Sequence, residues 1–196
     1  EITKEKIKLP YYLASMDKIK PDTKELNKYL KKYPGTKIIS AKLDGISGFY
    51  TTEQDNPLLA TRGKATNGLD ISHMIPYLKL SSDKDISVRG ELIIKKEVFE
   101  KKYKSEYKNP RNFVSGVVNS KKHEPNKWKD IDFIAYEVIT PSLKPSKQIQ
   151  WLTENNFNPV KHEIIKKGLS NDILSNYLTD WRESYEFETD GVIVTD

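Results

Sequence analysis

Two short runs of β-branched and aromatic residues, TKIISAK and ISGFYTT, flank the tripeptide LDG and constrain the fold more than any other feature of the sequence. Such runs predict strands, and the Asp-Gly pair between them predicts a tight turn. Lys42 is therefore expected at the end of a strand, with Asp44 and Gly45 in the turn that follows. On its own, KLDG is no more than a strand end and a turn, so its chemical meaning depends on the other motifs.

Other strands and helices alternate irregularly along the chain. LLATRG, DISVRGELII and DGVIVTD read as strands, and DIDFIAYEVI is apolar on both faces, which predicts a central strand. Helices are predicted in PDTKELNKYLKKYPG, with Asp22 as N-cap, in KEVFEKKY and in SNDILSNYLTDWRESY. TPSLKPSK, with two prolines, predicts a surface loop. The irregular order predicts a mixed α+β core and argues against a doubly wound βαβ sheet.

The length of 196 residues suits one domain with its own core. Residue 1 is Glu and the chain ends on a strand, so we expect 1–196 to be one domain cut at both ends from a longer protein. No apolar run approaches the roughly 20 residues that span a bilayer, so no membrane partner is expected. The absence of Cys excludes disulfides, thiolate metal sites and cysteine nucleophiles, and is compatible with an intracellular setting.

Charge points weakly to a polyanionic partner. The chain has 33 Lys and Arg against 28 Asp and Glu, a net charge of +5. Two basic stretches, KKEVFEKKYKSEYK and NSKKHEPNKWKD, interleave lysines with aromatics, as a surface that follows a phosphate backbone does; a solvated helix face of mixed charge explains them equally well. His73, His123 and His162 stand apart, without metal-ligand spacing, and are expected to be surface or structural residues.

A lysine at neutral pH is a poor nucleophile, because with an unperturbed pKa near 10.4 only about one molecule in 2,500 is unprotonated. Positive neighbours and partial burial lower that pKa. Candidate neighbours are the arginines of TRG, VRG and NPRN, which are Arg62, Arg89 and Arg111. Attack of an amine on the α-phosphate of a nucleotide also needs a divalent ion, for which Glu91 and Asp190 could supply carboxylates.

Seven motifs occur in one order over most of the chain: LPYYLASMDK, KLDGISG, TRGKATNGLDIS, VRGELII, NPRNFVSGVVNS, DFIAYEV and ETDGVIV. In this order they resemble the adenylation domain of NAD-dependent DNA ligases. The resemblance implies the α+β fold of covalent nucleotidyltransferases, an ATP-grasp-like arrangement of mixed, mainly antiparallel sheets flanked by helices. It also implies that a lysine takes AMP from NAD, passes it to the 5′-phosphate of a nick and so allows the 3′-hydroxyl to close the bond.

The resemblance also implies a set of site residues. Lys42 is the nucleophile and Asp44 the acid beside it. Nucleotide contacts besides Lys42 are Ser15 and Met16 on the adenine side, the arginines Arg62 and Arg111, and Glu91 near the ribose; Asp190 and Glu91 are the implied ligands of Mg²⁺. By contrast, the apolar run around Phe133 and Tyr136 favours core positions for both rings over base stacking.

The chain departs from the family pattern at several positions. Ser40 replaces a glutamate, Lys64 and Ala65 interrupt the usual TRGDG, Asn119 replaces a second arginine and Thr195 replaces a lysine. The final lysine of the family is expected beyond residue 196, and the segment that grips nicotinamide mononucleotide is expected ahead of residue 1. The use of NAD as the AMP donor is therefore inferred from the family resemblance of the motifs.

The leading interpretation is the adenylation domain of an NAD-dependent polynucleotide ligase that acts as a monomer on nicked or broken DNA with NAD and Mg²⁺. A viral source fits the departures. One alternative keeps the lysyl-AMP chemistry and changes the substrate, as an RNA ligase or as an enzyme that uses ATP. A second alternative is a nucleic-acid-binding module on a decayed ligase scaffold, because Asn119, Thr195 and Lys64 each remove an expected group.

Overall fold

Ten strands of the computed structural model, which describes residues 1–21, 23–63 and 66–196, form two sheets. The strands are β1 Lys6–Lys8, β2 Lys37–Leu43, β3 Ile46–Thr51, β4 Leu58–Arg62, β5 Asn67–Asp70, β6 Ser87–Ile94, β7 Ile131–Thr140, β8 Asn158–Pro159, β9 His162–Ile165 and β10 Thr189–Thr195. The helices are α1 Glu25–Lys32, α2 Lys96–Lys102, α3 Pro110–Asn119, α4 Pro125–Trp128, α5 Pro145–Glu154 and α6 Asn171–Ser184, with a 3-10 helix at Ser72–Tyr77.

The larger sheet has the order β1-β5-β4-β3-β6-β7-β8, and the smaller sheet has the order β10-β2-β9. Within the described residues every strand pair is antiparallel except β7 with β8. This arrangement confirms the predicted mixed α+β class with mainly antiparallel sheets. It also shows that the two strands around LDG do not pair: the turn carries the chain from the smaller sheet into the larger one.

The two sheets are joined by a shared apolar cluster. Side chains alternate along a strand, so β2 sends Ile39, Ala41 and Leu43 to one face and Lys42 to the other. The first three pack in one buried cluster with Ile93 of β6 and with residues of α6. Lys42 therefore lies on the face of β2 that is accessible to solvent, because the face that carries Ile39, Ala41 and Leu43 is buried in the core.

Strand β7 is buried on both faces, as its sequence indicates, but it is not central. Phe133 and Ala135 belong to the main core of the larger sheet, and Ile134 belongs to the cluster that joins the sheets. On its outer edge only two residues of β8 pair with it, at Ile134 and Ala135. The strand is thus an interior strand with both faces covered, as predicted, although it lies beside the short edge strand β8 and not in the middle of the sheet.

Three helix assignments differ from expectation. TPSLKPSK is a loop only as far as Lys144, since Pro145 begins α5, and proline fits the first turn of a helix. NPRNFVSGVVNS, for which no element was predicted, forms α3, where the side chain of Asn109 accepts a hydrogen bond from Asn112 N at 2.8 Å. Helix α1 has Lys24 at its N-cap position, without a side-chain cap. The predicted cap Asp22 and the departures Lys64 and Ala65 lie outside the described residues.

Gly45 is the point where the LDG turn touches the larger sheet. A Cβ atom built on Gly45 would lie 2.2 Å from the backbone oxygen of Leu92 in β6, a distance that no real Cβ contact tolerates. The missing side chain of Gly45 therefore allows the turn to approach the neighbouring strand. At Gly191 the added Cβ would make an ordinary contact, 3.4 Å from Lys42 Cδ.

We expect Gly45→Ala to lower the free energy of unfolding by roughly 2 kcal/mol, because the backbone of β6 has to move to accept the methyl group. Gly191→Ala is the matched control, and it should change stability by less than about 1 kcal/mol, since its φ is unstrained and its surroundings are open. Urea unfolding followed by circular dichroism measures both. Equal effects of the two substitutions would contradict the close approach at Gly45.

Candidate active site

A cavity of about 490 Å³ opens beside the ends of β2 and β10 and is lined by residues of both sheets. Seven of the residues singled out by the sequence line it: Ser15, Met16, Lys42, Arg62, Glu91, Arg111 and Asp190. Asp44 is not among the lining residues and contacts the cavity through Arg111. Positions far apart in the chain are thus gathered around one space of a size that suits a small ligand.

Lys42 and Asp190 form an ion pair at one wall of the cavity. Lys42 Nζ lies 3.1 Å from Oδ1 and 3.3 Å from Oδ2 of Asp190. The pairing of β2 with β10 shifts register between Thr189 and Gly191, which leaves Asp190 as the extra residue of a bulge beside Lys42. Arg182 of α6 supports this bulge, since its Nε donates to Thr189 O at 3.1 Å. The two side chains are 54% and 40% exposed, so the amine is accessible to a ligand.

Asp44 faces Arg111 and not Lys42. Arg111 Nη1 donates to Asp44 Oδ1 at 3.1 Å, and Arg111 lies in the first turn of α3. The backbone N–H of Asp44 donates to Glu188 O at 2.9 Å, which fixes the turn against the start of β10. Asp44 therefore orients an arginine at the mouth of the cavity and ties the turn to the neighbouring strand.

Glu91 of β6 is the most buried carboxylate of the cavity. Its Oε1 accepts a hydrogen bond from Gly45 N at 3.3 Å. Burial raises the pKa of Glu91 to about 7, against the opposing effects of the Gly45 N–H, Arg111 and Arg89; Asp190 adds to the rise. Near neutral pH this side chain therefore exchanges a proton, so that it can either accept or donate a hydrogen bond.

Arg62 and the segment Ser15–Met16 form another wall. Arg62, the last residue of β4, donates from Nη2 to Ser15 Oγ at 2.6 Å. The Met16 residue is 50% exposed, while the neighbouring Leu13 is buried in a small cluster with Phe49 of β3. An irregular segment is thus anchored by one apolar side chain and leaves Ser15 and Met16 at the cavity.

Two further residues at the cavity were not assigned to it from the sequence. Tyr136 lines the cavity, and its hydroxyl lies 3.3 Å from Ser47 Oγ; burial raises the pKa of Tyr136. Phe133 lies in the core and Tyr136 packs against the cluster that joins the sheets, as predicted. The prediction was incomplete, because alternation along β7 places the Tyr136 ring on the other face of the strand, where it also borders the cavity. The period of two, read outward from Phe133, was the signal that could have placed Tyr136 correctly.

From the sequence, Arg89 was predicted only as a neighbour of Lys42, but in the structure it connects several parts of the cavity wall. Its side chain is 8% exposed and lies 3.6 Å from a carboxylate oxygen of Glu137. Arg89 Nη1 donates to Ala14 O at 3.0 Å, and its guanidinium carbon lies 5.7 Å from the ring centroid of Tyr136. Arg89 therefore connects the Ala14–Met16 segment to the larger sheet and fixes one face of the Tyr136 ring.

Three of the departures from the family pattern, at Ser40, Asn119 and Thr195, lie away from the lining of the cavity. Asn119 donates from Nδ2 to Ser115 O at 2.8 Å, within its own helix. Ser40 lies opposite Ile193 and His162 in the smaller sheet, and Thr195 is exposed opposite Ile38. None of these three is among the residues that line the cavity.

The carboxylates of the cavity suit a hard divalent cation. In the described part of the chain there is no group of three or more His, Cys, Asp or Glu side chains arranged to hold a metal ion. Mg²⁺, however, commonly uses one or two carboxylates together with water and substrate phosphates. Asp190 and Glu91 line the same cavity, so the donor set fits an ion that is bound jointly with a nucleotide. The ring of His73 instead packs against Trp128 in a tilted arrangement, with ring centroids 4.7 Å apart and the ring planes at 57°.

A lysine, two carboxylates and three arginines line one cavity between the two mainly antiparallel sheets. The sequence matches the family described as the NAD-dependent DNA ligase adenylation domain over residues 11–195, and the chain belongs to this family. The predicted family is thus confirmed. Searching the described residues, we find no helix long and apolar enough to cross a membrane.

Individual relatives agree with the family. The DNA ligase of Acanthamoeba polyphaga mimivirus is 43% identical over 97% of this chain and 31% of that protein. The DNA ligase of Helicobacter acinonychis is 30% identical over 86% of this chain and 29% of that protein. A solved structure named Pmar-Lig_PreS3 shares the fold, with a TM-score of 0.54 and 13% identity over 87% of this chain and 40% of that structure. The chain thus spans about a third of the length of these curated relatives.

Glu91 should make stability depend on pH. Its pKa in the folded state, about 7, exceeds its ordinary value of 4.5, so the folded state binds the proton more tightly than the unfolded chain. The stability gained from this proton is fully present below pH 4.5 and is lost as pH rises through about 7. We expect Glu91→Gln to gain stability relative to the wild type over this range, by at most about 3 kcal/mol. Urea unfolding at several pH values tests this, and parallel curves for the two proteins would contradict it.

Arg89→Lys should loosen the segment that forms one wall of the cavity. Lysine keeps the charge but cannot reach Ala14 O, Glu137 and the Tyr136 ring together, and one lost hydrogen bond corresponds to roughly 3- to 10-fold more frequent local opening. The rate of tryptic cleavage after Lys18 measures that opening. Glu137→Gln is the control, because it weakens only the ion pair of Arg89. Equal cleavage rates in wild type and Arg89→Lys would exclude the anchoring role.

Proposed function

We propose that this chain is the part of a polynucleotide ligase that is charged with AMP, and that Lys42 carries the AMP. One observation carries the proposal: Lys42, Glu91, Arg62, Arg111 and Asp190 come from five different elements and line one cavity. An amine, two carboxylates and two guanidinium groups are the groups that adenylyl transfer requires. The family membership of the chain agrees with this chemistry.

In the first step the neutral amine of Lys42 attacks the adenylyl phosphorus of NAD. A P–N bond forms, the bond from that phosphorus to the bridging oxygen breaks, and nicotinamide mononucleotide leaves with the oxygen. The amine gives up a proton in the process. Because Asp190 holds Lys42 Nζ at 3.1 Å, this ion pair has to open before the lone pair of the amine is free.

The surrounding groups support binding and positioning. Arg62 and Arg111 can neutralise phosphate oxygens by bidentate contacts, and both line the cavity. Tyr136 and Ile193 offer apolar surface to a base, and Glu91 suits a ribose hydroxyl because it can accept a hydrogen bond. Asp190 and Glu91 would hold Mg²⁺, which when bound would neutralise negative charge on the phosphates.

The later steps follow from the lysyl-AMP adduct. The adenylyl group would pass to the 5′-phosphate of a nick, and the 3′-hydroxyl would then displace AMP to close the phosphodiester bond. We propose DNA as the substrate, NAD as the donor, an intracellular setting and a monomer as the working form. The names of the viral and bacterial relatives support DNA as the substrate.

A second candidate is a nucleic-acid-binding module without catalysis. It is favoured by Asn119, which stands where the family has an arginine and whose amide bonds to its own helix, so that it offers no cation to a phosphate. Against it stands the complete set of lining groups around Lys42. Formation of the covalent adduct separates the two candidates.

Incubation with NAD and Mg²⁺ should add the mass of one AMP to the intact chain, and Lys42→Arg should abolish the adduct. Arginine keeps the positive charge beside Asp190 but is not a nucleophile. Lys95→Arg is the matched control, since Lys95 is a half-exposed lysine that also pairs with a carboxylate, Glu186 at 3.7 Å.

Intact-mass spectrometry reads all the outcomes of this experiment. If only ATP gave an adduct, ATP and not NAD would be the AMP donor. If neither nucleotide gave an adduct, the result would favour the nucleic-acid-binding module. If the adduct formed in Lys42→Arg and not in Lys95→Arg, the nucleophile would be Lys95.

A further inference from the structure

The net charge of the chain is concentrated in one stretch. Residues 18–37 contain seven lysines and two carboxylates, a net charge of +5, which equals the net charge of the whole chain. The remaining 176 residues are therefore electrically balanced. A charge of this size in one place attracts a polyanion, whereas the same charge spread over the surface would serve only solubility.

Helix α1 arranges part of this charge on one face. Lys28, Lys31 and Lys32 follow the spacing of one side of a helix, and all three are exposed. The opposite side carries Leu26, which is buried, and Tyr29. The apolar side thus fixes the helix on the protein and turns the lysines outward.

Two more lysines lie at the same end of the smaller sheet. Lys37, which follows α1, pairs with Ile165 at the end of β9, and the exposed Lys166 and Lys167 come next in the chain. None of Lys28, Lys31, Lys32, Lys166 and Lys167 makes an ion pair with a described residue. We call these five residues the α1 lysine surface.

The lysine-rich helix α2 differs from this surface. Lys101 pairs with Glu97 and Lys104 with Glu100, each four residues apart on the same helix side. Within the first basic stretch noted in the sequence, carboxylates thus already neutralise these two lysines, and Lys102 pairs with Asp130. The interleaving of lysines with aromatic residues therefore predicts lysines without an ion-pair partner less well than the spacing of the lysines on α1 does.

The α1 lysine surface is connected to the cavity by one strand. Lys37 begins β2 and Lys42 lies five residues further along the same strand, a distance of about 17 Å. Phosphates of one strand of a duplex follow each other at about 3.4 Å along the axis, so this distance corresponds to roughly five nucleotides. A duplex that is bound at the cavity can therefore place its phosphate backbone next to α1.

We propose that the α1 lysine surface binds the phosphodiester backbone of duplex DNA about five nucleotides from the position where Lys42 acts. This inference rests on the proposed function, because that function places a nick at the cavity. The contact is electrostatic and independent of sequence, so it contributes affinity and alignment and not recognition of bases.

The test compares two double variants of the 196-residue chain that lose the same charge. Lys28→Ala/Lys32→Ala removes two lysines of the surface. Lys101→Ala/Lys104→Ala removes two ion-paired lysines at the C-terminal end of α2, one in the helix and one in the turn after it. Alanine is a good helix former, so both helices should persist, which circular dichroism checks. Binding to a labelled nicked duplex is measured by fluorescence anisotropy at several salt concentrations.

We expect Lys28→Ala/Lys32→Ala to weaken binding about tenfold or more at 0.1 M salt and to make the slope of log K against log salt concentration shallower by about 1.8. Lys101→Ala/Lys104→Ala should bind like the wild type. Lys166→Ala/Lys167→Ala should repeat the loss of the first variant, because it removes two other lysines of the same surface.

Three results would overturn the inference. The first is an equal loss of duplex binding in the α1 and α2 double variants, and the second is unchanged duplex binding in the α1 double variant. The third is that the α1 double variant loses binding to phosphatidylserine vesicles and keeps its binding to the duplex. Formation of the Lys42 adduct with NAD is measured on the same variants. If the α1 variant keeps the adduct and loses the duplex, both proposals stand. If the wild-type chain forms no adduct, the proposed function is wrong, whatever the DNA-binding measurement shows.

Discussion

The contact between the LDG turn and β6 is the constraint on which the site depends. Gly45 brings its backbone against Leu92 O, and its N–H donates to Glu91. Since β2 and β3 lie in different sheets, this turn is also where the chain crosses between them. A side chain at position 45 would push the sheets apart and with them Lys42 and Glu91. The glycine after the aspartate is therefore required by the joining of two sheets, before any ligand is considered.

Each cation of the cavity already has a partner within the protein. Lys42 binds Asp190, Arg111 binds Asp44 and Arg62 binds Ser15. Exposed ion pairs of this kind contribute little to stability, so the exchange of an internal partner for a phosphate costs little. Their effect is on geometry, since they hold long side chains near the positions where a phosphate would arrive. The cavity is thus organised in advance, and a ligand substitutes for partners that are already present.

The sequence predicted local features better than relations between distant segments. Lys42 near a strand end and the helix in SNDILSNYLTDWRESY follow from residue spacing, and both are present in the structure. That LDG changes sheets does not follow from spacing, because strand pairing is decided by residues as distant as β10. Pro145 illustrates a local limit: proline is equally suited to a loop and to the first turn of a helix. Tyr136 packs against a core cluster, as predicted, but an apolar run hides the alternation of faces that also places this ring at the cavity.

Glu91 and Asp190 show how one cavity can give two carboxylates different properties. Asp190 is 40% exposed and paired with Lys42, while Glu91 is largely buried, and burial raises its pKa to about 7. A proton on Glu91 lowers the negative charge of the cavity and offers a hydrogen-bond donor to a ligand, whereas its loss strengthens the attraction for a cation. Asp190 pairs with Lys42. Under the proposed function, a cation that bound beside Asp190 would both release the amine of Lys42 and favour the ionised form of Glu91, so the two events would be coupled through the same two acids.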